Sequence, residues 1–194
     1  MSLTRANHVV AQRKTTLKRL GRTLSIDPRS RRVAWAYFKD GDLQDCRIRN
    51  FRDQTRSARI SSDTIPYVIE LLDHYAPHAL LVPRIKDAGA RRRSSQVARV
   101  IRTVVREALH RGIAVHVMSG DTVKKSFEQR TGEPAGNKED IHKWILEQFQ
   151  ELTVMVPAPR LKAWEPEQYF TPLFNTVAMY LAWEALPSPM EKRA

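Results

Sequence analysis

The chain has 194 residues, with 33 Lys and Arg against 21 Asp and Glu, so its formal net charge is +12 and its sequence pI is near 10.3. That length suits one domain, or one domain with an arm, and a hydrophobic share of 42% fits a packed core. No apolar run approaches the roughly 20 residues of a membrane span, no secretory apolar stretch follows the basic N-terminus, and the single Cys46 excludes a disulfide framework or a cysteine-built zinc site.

Residues 1–22 have no sustained apolar period and read as a flexible basic arm. Thr23 to Asp27 is a short strand with Leu24 and Ile26 on one face, ended by Pro28 and the polar turn Arg29-Ser30-Arg31. Val33 to Phe38 is a second strand, rich in aromatics, and Lys39-Asp40-Gly41-Asp42 is a hairpin turn. Leu43 to Arg49 is an edge-like third strand, which completes an antiparallel meander.

Ser62 or Asp63 caps a helix with Ile65, Ile69, Leu72 and Tyr75 at helical spacing, and Pro77 stops it. The apolar run Ala79 to Val82 predicts a strand buried on both faces. A long helix from Ser94 or Ser95 carries Val97, Ile101, Val104, Val105 and Ala108 as its stripe, and Gly112 closes it. Ile113 to Met118 reads as another buried strand. A short helix spans 122–129, a longer one 137–152, and a last helix 172–186 follows a proline-rich connection. The expected organisation is an arm (1–22), one domain (23–187) and a short tail (188–194).

The charge is unevenly placed. Arg5, Arg13, Lys14, Lys18, Arg19 and Arg22 give the first 22 residues half of the net charge, without an acid. From Arg84 to Arg106 eight basic residues, including Arg91, Arg92 and Arg93, face Asp87 alone. Such blocks favour phosphate contacts over a merely solvated surface, so nucleic acid is the expected partner, ahead of any membrane. The lone cysteine fits a reducing compartment, and a cytoplasmic protein is expected.

Three antiparallel strands followed by strands that alternate with helices predict an α/β fold with a five-stranded mixed sheet, three strands antiparallel and then two parallel. This is the element order of the ribonuclease H-like fold. Actin-like ATPases share much of it but need a glycine-rich phosphate loop after the first strand. Here that turn is Asp27-Pro28-Arg29-Ser30, and the chain has only seven glycines.

Three stretches resemble the RuvC Holliday-junction resolvases. Ser25-Ile26-Asp27-Pro28 with Val33-Ala34-Trp35-Ala36 is similar to that family's first two strands, whose Ile-Asp-Pro signature supplies a metal-binding aspartate. Thr122 to Ser126, followed by Gly132 to Ile141, is similar to its valine-lysine helix and glycine-containing loop. Asn175 to Ala182 resembles its closing helix. The resemblance spans residues 23–186 and implies phosphodiester hydrolysis by two divalent ions, Mg²⁺ or Mn²⁺, on branched DNA, by a homodimer.

The resemblance implies four carboxylates. Asp27 matches the first and is the expected metal ligand. The second falls on Val82-Pro83-Arg84, which has no glutamate, with Asp87 several residues late; the last two fall on Pro172 and Asn175. Asp27, Asp87 and Asn175 are therefore the candidate catalytic residues, with Glu165 and Glu167 as acids able to enter the site. Arg84, Arg91, Arg92, Arg93, Lys124, Lys138 and the arm residues Arg13, Lys14, Lys18 and Arg19 are the candidate nucleic-acid contacts, Arg84 meeting a phosphate in place of metal.

Two function classes follow. One is a metal-dependent, structure-specific endodeoxyribonuclease. The other is a domain of the same fold that grips DNA or RNA without cutting it; a nuclease of ribosomal RNA precursors is a third reading. DNA is favoured over RNA.

Overall fold

The computed structural model describes residues 21–51, 63–85, 95–134, 138–155 and 167–186. Its strands are β1 (Arg22–Pro28), β2 (Arg32–Lys39), β3 (Asp42–Asn50), β4 (Ala79–Pro83) and β5 (Ala114–Met118). Its helices, among the described residues, are α1 (Thr64–Tyr75), α2 (Ser95–His110), α3 (Gly120–Thr131), α4 (Lys138–Gln148), α5 (Glu151–Met155) and α6 (Glu167–Ala185).

The five strands form one sheet in the order β3-β2-β1-β4-β5. β1 runs antiparallel to β2 and β2 to β3, whereas β4 is parallel to β1 and β5 to β4. This is the α/β ribonuclease H-like arrangement expected from the element order. The β2–β3 connection is the Asp40-Gly41 turn, both residues at positive φ (52° and 91°), where an Asp-Gly pair is accepted with little strain.

Strand alternation divides the core into two layers. Leu24, Ile26, Val33, Trp35, Tyr37, Leu80 and Val82 face α1 and α2. Ala34, Ala36, Phe38, Ala79 and Leu81 face α3, α4, α5 and above all α6, whose residues from Leu173 to Trp183 are almost all buried. The α6 side is kept small near β1 and β2, so the helix lies close against the sheet, and Phe38 stacks on Tyr180 with ring centroids 3.6 Å apart.

Some elements differ from the sequence expectation. β5 is not buried on both faces: it lies at the end of the sheet order, and Val117 is 59% exposed. The apolar run therefore reflects a cleft described below rather than a central strand. The region 137–152 is two helices, interrupted at Phe149 and Gln150. The last helix starts at Glu167 and runs through Pro172, because burial against β1 and β2 outweighs the one backbone hydrogen bond that proline removes. Arg22, counted with the arm by composition, opens β1.

Candidate functional site

Parity along β1 sets the site. Since Leu24 and Ile26 turn towards α1 and α2, Thr23, Ser25 and Asp27 must turn towards α6. All three are buried, Ser25 and Asp27 completely. Two consecutive residues of α6 answer them. The Ser25 hydroxyl donates to the Thr176 carbonyl at 2.7 Å, and Asn175 Nδ2 donates to Asp27 Oδ2 at 3.0 Å. A buried carboxylate without partners would be strongly disfavoured, so these contacts fix the height of α6 on the strand.

The second partner of Asp27 comes from the hairpin that follows. Pro28 pairs with Val33, and the Arg29 N–H donates to the Arg32 carbonyl at 2.8 Å. Alternation then returns Arg29 to the Asp27 face. Its Nη2 and Nε donate to Asp27 Oδ2 at 2.7 and 3.1 Å. The Arg29 side chain is 38% exposed while that of Asp27 is 0% exposed. One face of the guanidinium fork thus covers a buried charge, and the rest reaches the surface.

Asp27 sits at the carboxyl end of β1, between the antiparallel β2 and the parallel β4. Strand order reverses between β1 and β4, and the crevice outside the carboxyl ends of strands at such a point is where α/β sheets place ligands. Pro83 ends β4 on the Asp27 side of the sheet by alternation with Val82, so the second expected acid position presents no oxygen-bearing side chain.

The expected metal pair does not fit this donor set. Mg²⁺ requires near-octahedral oxygen coordination. The Asp27 oxygen accepts three protein N–H donors, and Asn175 turns its NH₂ group, not its carbonyl, to the carboxylate. Among the described residues no three His, Cys, Asp or Glu side chains converge as metal ligands. Arg29 therefore supplies next to Asp27 the positive charge that the resemblance assigns to metal.

The other expected site residues are scattered. Arg84 is exposed, its N–H bonded to the Met118 carbonyl at 2.8 Å, and it borders a cleft between α2 and β5 with Ile101, Arg102, Val105, Arg106, Leu109 and Val117. The cation paired with Asp27 is Arg29. Lys124 is exposed on α3, whose N-terminus is capped by Ser119 accepting from the Thr122 N–H at 3.0 Å and whose end is marked by Gly132 at φ 73°. Lys138 begins α4. Asp87, Arg91, Arg92, Arg93, Glu165 and the arm residues Arg13, Lys14, Lys18 and Arg19 lie outside the described residues.

Two arginines on the Asp27 face carry no motif in the sequence: Arg29 in the β1–β2 turn and Arg32, the first residue of β2. Arg49, paired with Val33, lies on the opposite face, its guanidinium 4.6 Å from the Tyr67 ring centroid. The available signal was the repeated arginine in Arg29-Ser30-Arg31-Arg32, which reads as an ordinary polar turn until the hairpin pairing is known.

No protein-family model matches the chain, and no curated protein is similar to it in sequence. Solved structures do match. Thermus thermophilus RuvC in complex with a Holliday junction substrate is 14% identical, with a TM-score of 0.57 over 83% of this chain and 90% of that one. Thermus thermophilus RuvC alone is 17% identical, with a TM-score of 0.58 over 83% and 92%. The yeast mitochondrial Holliday junction resolvase is 13% identical, with a TM-score of 0.50 over 85% and 78%. At such identities the likeness is one of architecture: the chain has the RuvC-type, ribonuclease H-like fold.

Proposed function

We propose that this protein binds nucleic acid, branched DNA in particular, without hydrolysing it through a two-metal centre. The observation that carries the reading is the state of Asp27, whose carboxylate is held by Arg29 and Asn175. A cation pair would have to displace a guanidinium from a buried carboxylate, and among the described residues no three His, Cys, Asp or Glu side chains gather to receive it. Breaking such a pair without an equal replacement is unfavourable. The net charge of +12 supports a polyanionic partner, and the Thermus thermophilus structure of the same fold, in complex with a Holliday junction, supports DNA as that partner.

A homodimer belongs to the same reading. The α2–β5 cleft exposes Leu109 and Val117 at 58% and 59%, an apolar strip at the end of the sheet suited to a second copy.

The test uses a labelled four-way DNA junction, linear duplex, single strand and RNA hairpin, each with Mg²⁺, with Mn²⁺ and with chelator. Retained complexes that are equally tight in chelator, with no shortened product in either metal, are expected. Metal-dependent nicking that disappears in Asp27→Asn would overturn the reading. Preference for the RNA hairpin would move the partner from DNA to RNA.

A further inference from the structure

We infer that Arg29 is a phosphodiester-binding residue, with Asp27 as the group that aims it. The inference deepens the nucleic-acid reading and rests on it only for the polymer to which the phosphodiester belongs.

The geometry separates the two sides of the guanidinium. Nη2 and Nε converge on one oxygen of Asp27, at 2.7 and 3.1 Å. Among the described residues Nη1 meets no hydrogen-bond partner, and 38% of the side chain is open. Arginine presents five N–H donors in a planar fork. With two of them anchored, the remaining Nη1 and Nη2 hydrogens point away from the carboxylate as a fixed pair, a spacing that matches two oxygens of a phosphate. An arginine held this way loses little rotamer freedom on meeting an anion, whereas a free surface arginine must order its whole chain.

The charge around it favours an anion. Residues 27–32 contain one acid, Asp27, and three arginines, Arg29, Arg31 and Arg32, leaving a net +2 on the turn. The acid is fully buried while Arg31 is exposed and Arg29 partly so. Arg32 shares the Asp27 face by alternation, paired with Asn50 at the end of β3. An approaching phosphate therefore meets the basic side of the turn first. The place is also the switch point between β1 and β4, where a ligand of this sheet is expected.

Divalent metal is unnecessary for this contact. Arg29 offers the phosphodiester its free donor pair, and the net +2 of residues 27–32 supplies the balancing charge, so binding should survive chelation.

Two measurements test the inference separately from the reading beneath it. The first titrates dimethyl phosphate, a bare phosphodiester, into the full chain in chelator and follows the arginine Nε–Hε resonances. The Arg29 signal, assigned by its loss in Arg29→Lys, should shift saturably. The second compares four-way-junction binding of wild type, Arg29→Ala and Arg29→Lys over a range of salt. Arg29→Ala should weaken binding roughly tenfold or more and lower the log–log salt slope by about one. Arg29→Lys keeps the charge and the fold, so it should retain the slope and lose most of the tenfold through the missing fork.

A silent Arg29 signal together with unchanged junction affinity in both variants would overturn the inference while leaving nucleic-acid binding intact. An Arg29 signal that moves with dimethyl phosphate in a protein that binds no polymer would keep the inference and strike the nucleic-acid reading. Movement in both assays supports both.

Discussion

Arg29 closes over Asp27 from two residues away, with Nη2 2.7 Å from an oxygen that solvent does not reach. The pair is short-range in sequence and still depends on a long-range partner, Asn175, 148 residues later. Losing either neighbour leaves a buried carboxylate less compensated. Arg29→Met is expected to cost about 1–3 kcal/mol, the lower end reflecting the partial exposure of the arginine. Asp27→Asn removes the charge that needed compensation, so Arg29→Met should cost much less in that background. Urea denaturation of the two single variants and the double variant should give a coupling of about 1–2 kcal/mol. Strictly additive costs would mean that the contact does not bear on stability.

Divalent ions should leave the wild type nearly unaffected. A site filled at about a hundred times its dissociation constant would add about 2.7 kcal/mol, which is easily seen as a rise in Tm. No such rise is expected with Mg²⁺ or Mn²⁺. Asn175→Asp replaces the NH₂ donor, now 3.0 Å from Asp27, by a second carboxylate. The variant should be less stable than wild type in chelator, through like-charge repulsion and a lost hydrogen bond. It should regain part of that loss in Mn²⁺. Equal stabilisation of wild type and variant by Mn²⁺ would show that the native side chains already form a metal site.

The meander and its turns were legible because they rest on local rules. Alternation put Leu24 and Ile26 on one face, and Asp40-Gly41 named its own turn type. What failed was non-local. Ile113 to Met118 is as apolar as Ala79 to Val82, yet β4 lies inside the sheet and β5 at its end; hydropathy does not report strand order. Pro172 reads as a helix start because proline fits the first turn, but α6 begins at Glu167 and holds Pro172 inside it. At the site, Asp27 and Asn175 were linked only through the family resemblance, since a contact across 148 residues leaves no periodic trace. In the sequence Arg29 reads only as part of a polar turn. Its role comes from the hairpin pairing that returns it to the Asp27 face.

Val117 and Leu109 offer a clean test of association. Both are more than half exposed, so a polar change should alter the stability of the isolated chain by no more than about 0.5 kcal/mol. If the α2–β5 cleft joins two copies, Val117→Asp and Leu109→Glu should each convert a dimer to a monomer in light scattering, with little change in the unfolding of the monomer. A wild type that is monomeric at every concentration would remove the homodimer, and a variant that remains dimeric would place the interface elsewhere.

Cys46 reports on the opposite edge of the molecule. It lies on β3, only 5% exposed, among the side chains packed beneath α6. Burial, and after it the nearby charges of Asp45 and Glu151, push its thiol from 9.0 up to about 11. At pH 8 the native thiol is therefore both covered and protonated, and a thiol reagent should reach it only through opening of β3. An opening free energy of about 4 kcal/mol would slow labelling by roughly a thousandfold relative to the unfolded chain. The shift also sets a pH dependence. The raised value means that the unfolded chain gives up this proton first. The contribution of the protonated thiol is therefore whole below pH 9 and is lost as pH rises towards 11. Cys46→Ala removes that titration, so the stability advantage of wild type over the variant should shrink steadily across this range. An advantage that is constant with pH would show that the buried thiol titrates in the folded protein as it does in the unfolded one.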